Sequence, residues 1–288
     1  MQDEIVARLA NQLGVALIAA EARRADRAPI PDSTDFYFQG MASMNAGVTL
    51  KNVELAQRLF ERALALDPNN SDAMVGSGQA EAVKGAAFLT EDRIERLAAA
   101  ETKLNKALSL APNNAWAHYW MGVVYVRANN AGRGVAEFER ALALDPNLAA
   151  AHGETGKAKI NLGRAEETEA HEREALRLSP RDYFTFIWML HAGHAKQCLG
   201  ADEPAVEWFH RSIESNPNLP FAHFFLAASL ANIGRLADAR SASRAGLLLN
   251  PTFTIHLFRT GAESDNPVYL AQRERVCEAM RNAGIPEG

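Results

Sequence analysis

The sequence predicts an all-α solenoid of about six helix pairs, and three observations carry that prediction. The first is a recurring ending. Ala-Leu-Ala-Leu-Asp-Pro-Asn stands at 63–69 and again at 141–147, with close variants at 107–113, 175–180, 212–218 and 246–251. The prolines are Pro68, Pro112, Pro146, Pro180, Pro217 and Pro251, spaced by 44, 34, 34, 37 and 34 residues. The second is a set of small residues at fixed distances before each proline. Five before lie Ala63, Ala107, Ala141, Ala175, Ser212 and Gly246, and twelve before lie Ala56, Ala100, Gly134, Thr168, Ala205 and Ala239. Small residues recur like this where two helices cross closely. The third is the absence of any stretch alternating apolar and polar residues as a half-buried strand would.

Each pair follows from its proline. Proline cannot continue a helix and restricts the residue before it, so every second helix stops there, and a nearby Asp or Asn caps the next start. This places pairs at 34–46 with 52–66, 71–86 with 92–110, 115–129 with 132–144, 149–162 with 165–178, 184–199 with 202–215, and 219–233 with 236–249. Eight before the proline, a large apolar residue (Phe60, Leu104, Phe138, Phe209) fills the pair. Glu172 and Ser243 break that rule, so the fourth and sixth pairs are expected to pack less tightly. Twenty-four before it stand Gly122, Gly156, Gly193 and Ala227, with Gly78 equivalent if ten extra residues follow it, within 83–97. That insertion lengthens the two helices or their loop; it is either an added edge contact or a tolerated surface insertion. A three-residue insertion at 181–185 carries Tyr183 and Phe184.

A 34-residue helix–turn–helix period with these residues resembles the tetratricopeptide repeat (TPR) family over roughly 34–251. The resemblance implies a right-handed superhelix whose first helices line a concave groove for a protein or peptide segment. Groove-facing positions precede the proline by about 30, 27, 23 and 20 residues. They give a candidate partner-binding set of Trp116, Tyr119, Val123, Lys157, Leu190, His194, Phe221 and Phe224, with a small-residue floor at Ala150 and Gly153. Aromatic anchors carry binding energy at interfaces, although some of these rings are alternatively packed between helices. Chaperone-binding relatives clamp a C-terminal carboxylate with Lys, Asn and Arg. Only Lys157 and Arg127 lie near those places, so an apolar helix or extended segment is the expected ligand.

The ends are not repeats. Residues 1–31 read as an amphipathic helix over 2–25 (Ile5, Val6, Leu9, Leu13, Leu17) and a linker broken by Ala28-Pro-Ile-Pro31. Its apolar stripe caps the first repeat, pairs with a second chain as a dimerisation scaffold, or packs on a domain outside this chain. Residues 32–252 hold the repeats. Residues 253–288 form capping helices, one short at 254–260 and one from about Val268 to Asn282, separated at Ser264-Asp-Asn-Pro267. Gln2-Asp-Glu-Ile-Val-Ala-Arg-Leu-Ala, Ala20-Glu-Ala-Arg-Arg24, Asp35-Phe-Tyr-Phe-Gln-Gly-Met41 and the closing Ser264–Arg275 and Ala283–Gly288 resemble the repeat region of bacterial adenylate/guanylate cyclase-like regulators. That resemblance implies the C-terminal part of a signalling regulator, with any cyclase activity in an N-terminal domain that these residues do not form.

Composition narrows the function. A net charge of -5 argues against a nucleic-acid partner, which needs a basic face. No apolar run approaches a membrane span, and Asp3 and Glu4 follow Met1 where a signal peptide would be basic. Two cysteines fit a reducing, cytoplasmic compartment. No Gly-rich phosphate loop, G-x-S-x-G or H-E-x-x-H is present, so neither an enzyme nor a cofactor is expected. His118, His152 and His223 each precede their proline by 28, a recurrence that reads as architecture. His191, His194 and Cys198 share one helix face and form the alternative, a zinc site lacking a fourth ligand.

Overall fold

A computed structural model describes residues 14, 16–47, 49–86 and 92–288, and no strand occurs among them. The chain divides into two compact units, Met1–Leu148 and Ala149–Gly288. In the first unit the helices are α1 (Ser33–Asn45), α2 (Leu50–Leu66), α3 (Ser71–Ala86), α4 (Arg93–Leu110), α5 (Ala115–Arg127) and α6 (Ala131–Leu144). The second unit holds α7 (Ala149–Asn161), a 3-10 turn (Ala165–Glu167) leading into α8 (Thr168–Leu178), α9 (Thr185–Cys198), α10 (Asp202–Ser215), α11 (Pro220–Asn232), α12 (Leu236–Leu249), α13 (Ile255–Thr260) and α14 (Pro267–Asn282). Each unit therefore stacks three antiparallel pairs, and the prolines mark where each pair ends.

The turn at each proline is held by polar atoms that the sequence repeats. The Oδ1 atoms of Asp67, Asp145 and Asn216, just before their prolines, accept from the N–H two residues on, at 3.0, 3.0 and 3.1 Å. Asn70 and Asn114 then cap α3 and α5, each accepting a backbone N–H at 2.9 Å. The repeated histidine closes the same corner. His118 and His223 each donate from Nε2 to the proline carbonyl six residues earlier, at 3.0 Å. These bonds satisfy backbone groups that a helix end leaves unpaired.

Close crossing of the pairs rests on glycine opposite a bulky side chain. A methyl group on Gly122 would lie 2.5 Å from the Phe138 ring, one on Gly193 would lie 2.6 Å from Phe209, and one on Gly78 would lie 2.8 Å from Leu104. Phe60 meets Gly40 and Gly76 in the same way. Gly40 precedes Phe60 by 20 residues, where Gly122 precedes Phe138 by 16, chiefly because α2 starts further ahead of its ring than α6 does. That offset hid Gly40 from the sequence pattern.

The fourth and sixth pairs fill their crossings in their own ways. Glu172 takes the place of the usual ring and is wholly buried, so close to Gly156 that an added methyl would lie 2.6 Å from its Oε1. The sixth pair reverses the arrangement. Phe224 on the first helix fills the space over Gly246 on the second, at 2.5 Å from an added methyl, and Ser243 is buried beside it. Small on one side and large on the other preserves the crossing, whichever helix supplies the ring.

Residues 16–25 are helical and dock through Ala22 and Ala25, with Arg24 bonded to Asp35 at 2.9 Å and Gln39 to Asp26 at 2.8 Å. Leu17, the described member of the apolar stripe, is 58 % exposed, while Ile5, Val6, Leu9 and Leu13 lie outside the described residues. Helices α3 and α4 run longer than their counterparts in the third pair. Residues 87–91 of the insertion between them also lie outside the described residues.

Candidate partner-binding face

The first helix of each pair positions the eight groove residues, so each unit presents its own set. In the first unit, α5 carries Trp116, Tyr119 and Val123. Trp116 is the second residue of the helix and is 49 % exposed, its ring edge-on to Tyr119 at 5.4 Å. Tyr119 is buried, edge-on in turn to Trp120 at 5.0 Å and tilted over Phe138 at 6.0 Å. Val123 is buried. On α1, Tyr37 occupies the place Tyr119 has on α5. Burial and then the nearby Asp72 carboxylate push its phenol up to about 12, so it remains a neutral ring with a donor hydroxyl. Asp72 itself is exposed at the start of α3, accepting from Asn114 at 3.3 Å. The rigid stack beneath Trp116 presents an apolar ring to solvent at low conformational cost. Beside the insertion, Arg93, Leu97, Glu101, Val124 and Arg127 line a cleft of about 400 Å³.

In the second unit the groove positions are covered by the chain's own C-terminal segment. Helix α14 packs against α11 and α9. The Lys157 ammonium bonds the Glu263 carboxylate and also reaches Asn161 Oδ1 at 3.3 Å. Asn266, the N-cap of α14, donates from Nδ2 to the Leu162 carbonyl at 3.1 Å. The Tyr269 ring enters a pocket formed by Ile160, Ala165, Ala195 and Cys198. Leu190 is buried in one core with Val276, Cys277 and Met280. Phe224 is also in that core, stacked on Phe253 at 3.9 Å. Phe221 alone of the second unit's candidates is exposed, at 40 %, with its ring edge-on to Phe253 at 5.7 Å. Of the eight groove residues, then, Trp116 and Phe221 are exposed. Tyr119, Val123, Leu190, His194 and Phe224 are buried supports, and Lys157 is engaged internally. The proline spacing placed them on the right helices but had no term for a covering segment from the end of the chain.

The zinc alternative is corrected by the same geometry. His191 Nδ1 stands 3.2 Å from the buried Glu172 Oε1. His194 stacks on Phe225 at 4.6 Å with planes 10° apart. Burial, together with the Lys157 and Arg273 charges, drives its imidazole down to about 3, so the ring is neutral and apolar in role. Burial pushes the Cys198 thiol up to about 12, which makes it a packing group and not a nucleophile. Among the described residues no group of three His, Cys, Asp or Glu gathers to hold a metal ion.

Comparison with known proteins agrees with this architecture. Residues 95–129 match the family described as TPR repeat, and residues 121–183 match tetratricopeptide repeat. A chain of the APC/C hetero-tetramer Cut9-Hcn1 is similar in structure with a TM-score of 0.70 at 15 % identity, over 94 % of this chain and 47 % of that one. The human IFIT1 dimer with m7Gppp-AAAA gives 0.64 at 16 % identity, over 94 % of this chain and 65 % of that one. PilW, a type IV pilus biogenesis factor, gives 0.55 at 20 % identity, over 70 % and 90 %. The chain thus spans about half the length of the first of these and under two thirds of the second. No curated protein matches it in sequence. Identities this low speak for the fold alone: the chain carries tetratricopeptide repeats and is an all-α tetratricopeptide solenoid. No helix among the described residues is long and apolar enough to cross a membrane.

Proposed function

We propose that this chain is a non-catalytic protein-interaction module and that its partner engages the edge of the first unit marked by Trp116. Tetratricopeptide repeats generally mediate protein–protein contacts and bind peptides. The observation that carries the reading is the Trp116 ring, half exposed on a helix that belongs to the groove side and backed by the buried Tyr119 and Phe138 rings. A large aromatic held rigidly at a surface is the usual anchor of an interface. The ligand is a protein or peptide segment with an apolar side chain for that ring. The resemblance of the terminal motifs to those of cyclase-like regulators is the support for a parent protein of that signalling class, in which the repeats would report partner binding to an attached domain.

The test compares wild type with Trp116→Ala in a pull-down from the source cell, each checked for helix content by circular dichroism. A protein retained by wild type and lost from the folded variant supports the reading. Equal retention by both places the contact elsewhere.

A further inference from the structure

We infer that the groove of repeats four to six is itself a helix-binding surface, with residues 263–275 of this chain as its resident, displaceable occupant. In trans it takes a helical protein segment of the same chemistry. That segment has an acidic residue just ahead of a helix start and an aromatic ring six residues further on. The inference rests on the interaction-module reading of the repeats but uses none of the Trp116 edge.

Four observations meet here. The seated segment touches the groove through side chains that a foreign helix can reproduce: Glu263 on Lys157, and the Tyr269 ring in the pocket of Ile160, Ala165, Ala195 and Cys198. Its backbone enters as an irregular stretch, Gly261–Asp265, ahead of the Asn266 cap, so release of the first turns breaks α14 at one place, between Arg275 and Val276. The contact is incompletely hydrogen-bonded. On α14, Gln272 Oε1 and Arg275 Nη2 are buried without a hydrogen-bond partner, and so are Asn161 Nδ2 on α7 and Gln197 Oε1 on α9, two helices it covers. Arg275 Nη1 stands 3.7 Å from Asp202 Oδ2, an ion pair beyond hydrogen-bond reach. The far half of α14 is different. Val276, Cys277, Ala279 and Met280 belong to the main apolar core with Phe224 and Phe225. One helix therefore has an apolar half that is fixed and a polar half in which Arg273 bonds the Phe258 carbonyl and Glu274 bonds Arg259, while Gln272 and Arg275 each keep a buried atom without a partner. Buried polar atoms lacking partners disfavour the closed contact, and the less stable end of an element opens first.

The charge pairing fixes the occupant's chemistry. Lys157 is the cation at the centre of the groove side, and its counterpart positions in the third and sixth repeats are Val123 and Ala228. An acidic anchor thus recognises this half of the chain through one specific residue.

The experiment uses the full chain and a fluorescein-labelled synthetic peptide of residues 261–275, with binding read by anisotropy. Wild type is expected to bind weakly, because the resident segment lowers the open fraction and the apparent affinity in proportion. The Glu263→Gln chain, its own anchor weakened, is expected to bind about tenfold tighter. Adding Lys157→Gln to that chain should abolish the gain. Hydrogen exchange of amides 268–275 in wild type should accelerate at saturating peptide. Equal affinity for wild type and Glu263→Gln, binding by neither, indifference to Lys157→Gln, or unchanged exchange overturns the inference. If Glu263→Gln lowers helix content, Asn266→Ala, which loosens the same segment from the Leu162 carbonyl, is read by the same criteria. Trp116→Ala leaves every one of these readouts unchanged, so failure here is distinguishable from failure of the first-unit site.

Discussion

Replacing Glu172 with leucine should stabilise the protein, and the gain should grow as the pH rises. Glu172 stands where Leu104 stands in the second repeat and where phenylalanine stands in three others. Its carboxyl group is wholly buried, its Oε2 has no hydrogen-bond partner, and its Oε1 has His191 Nδ1 at 3.2 Å. Burial, reinforced by the charge of Glu154, holds its pKa well above the ordinary carboxylate range. The unfolded chain loses this proton near pH 4.3 or so, the free glutamate value of about 4.3, while the native chain keeps it. Stability contributed at this site is therefore intact below that pH and falls as the pH rises through the native pKa. Removing a buried polar atom without a partner recovers about 1–3 kcal/mol, against about 1 kcal/mol for the lost histidine bond. The net expectation at neutral pH is a gain of up to about 2 kcal/mol. Urea unfolding followed at 222 nm, with the variant compared with wild type at pH 4.5 and pH 7.5, cancels the other titrating groups. A destabilised variant, or a difference that does not widen towards pH 7.5, would refute the reasoning.

Three further outcomes follow from the packing. Gly122→Val should destabilise by about 1–3 kcal/mol, since even the Cβ meets Phe138 at 2.5 Å and the Gly134 carbonyl at 3.0 Å; thermal unfolding measures it. Phe224→Ala should cost about 3–5 kcal/mol and Phe221→Ala well under half as much, because only the former ring is enclosed; paired denaturant titrations separate them. His118→Ala should cost more than His223→Ala, since its ring also meets Glu137 Oε2 at 2.7 Å whereas both meet a proline carbonyl, and a cost of about 0.5–1.5 kcal/mol per bond sets the scale.

The fold was legible because its signals are local and repeated. A proline, the Asx turn before it, the capping asparagine and the returning histidine all act within a few residues, so each copy announces itself. Where the structure departs, the cause lies in distance or in symmetry. Lys157 and Glu263 are 106 residues apart, and no period links them. The spacing that assigned Lys157, Leu190 and His194 to a groove was blind to the segment that covers them. Phe224 looked like a groove ring because the sixth pair exchanges which helix carries the large side chain, and Gly246 was the signal that could have shown it. Glu172 looked like a packing defect because an ionised carboxylate cannot be buried alone, whereas a protonated one can. Trp116 lies exposed on the first helix of its pair, a position that depends only on its own repeat.

The central claim is best tested by a photo-activatable phenylalanine analogue at position 116 in the otherwise wild-type chain, with the same analogue at Leu248 as the control. Leu248 is 83 % exposed on α12, a second helix away from the groove positions. The account predicts that the protein retained by wild type crosslinks at 116 and not at 248. Crosslinking at 248 alone, or at neither site while the partner remains bound, would contradict it.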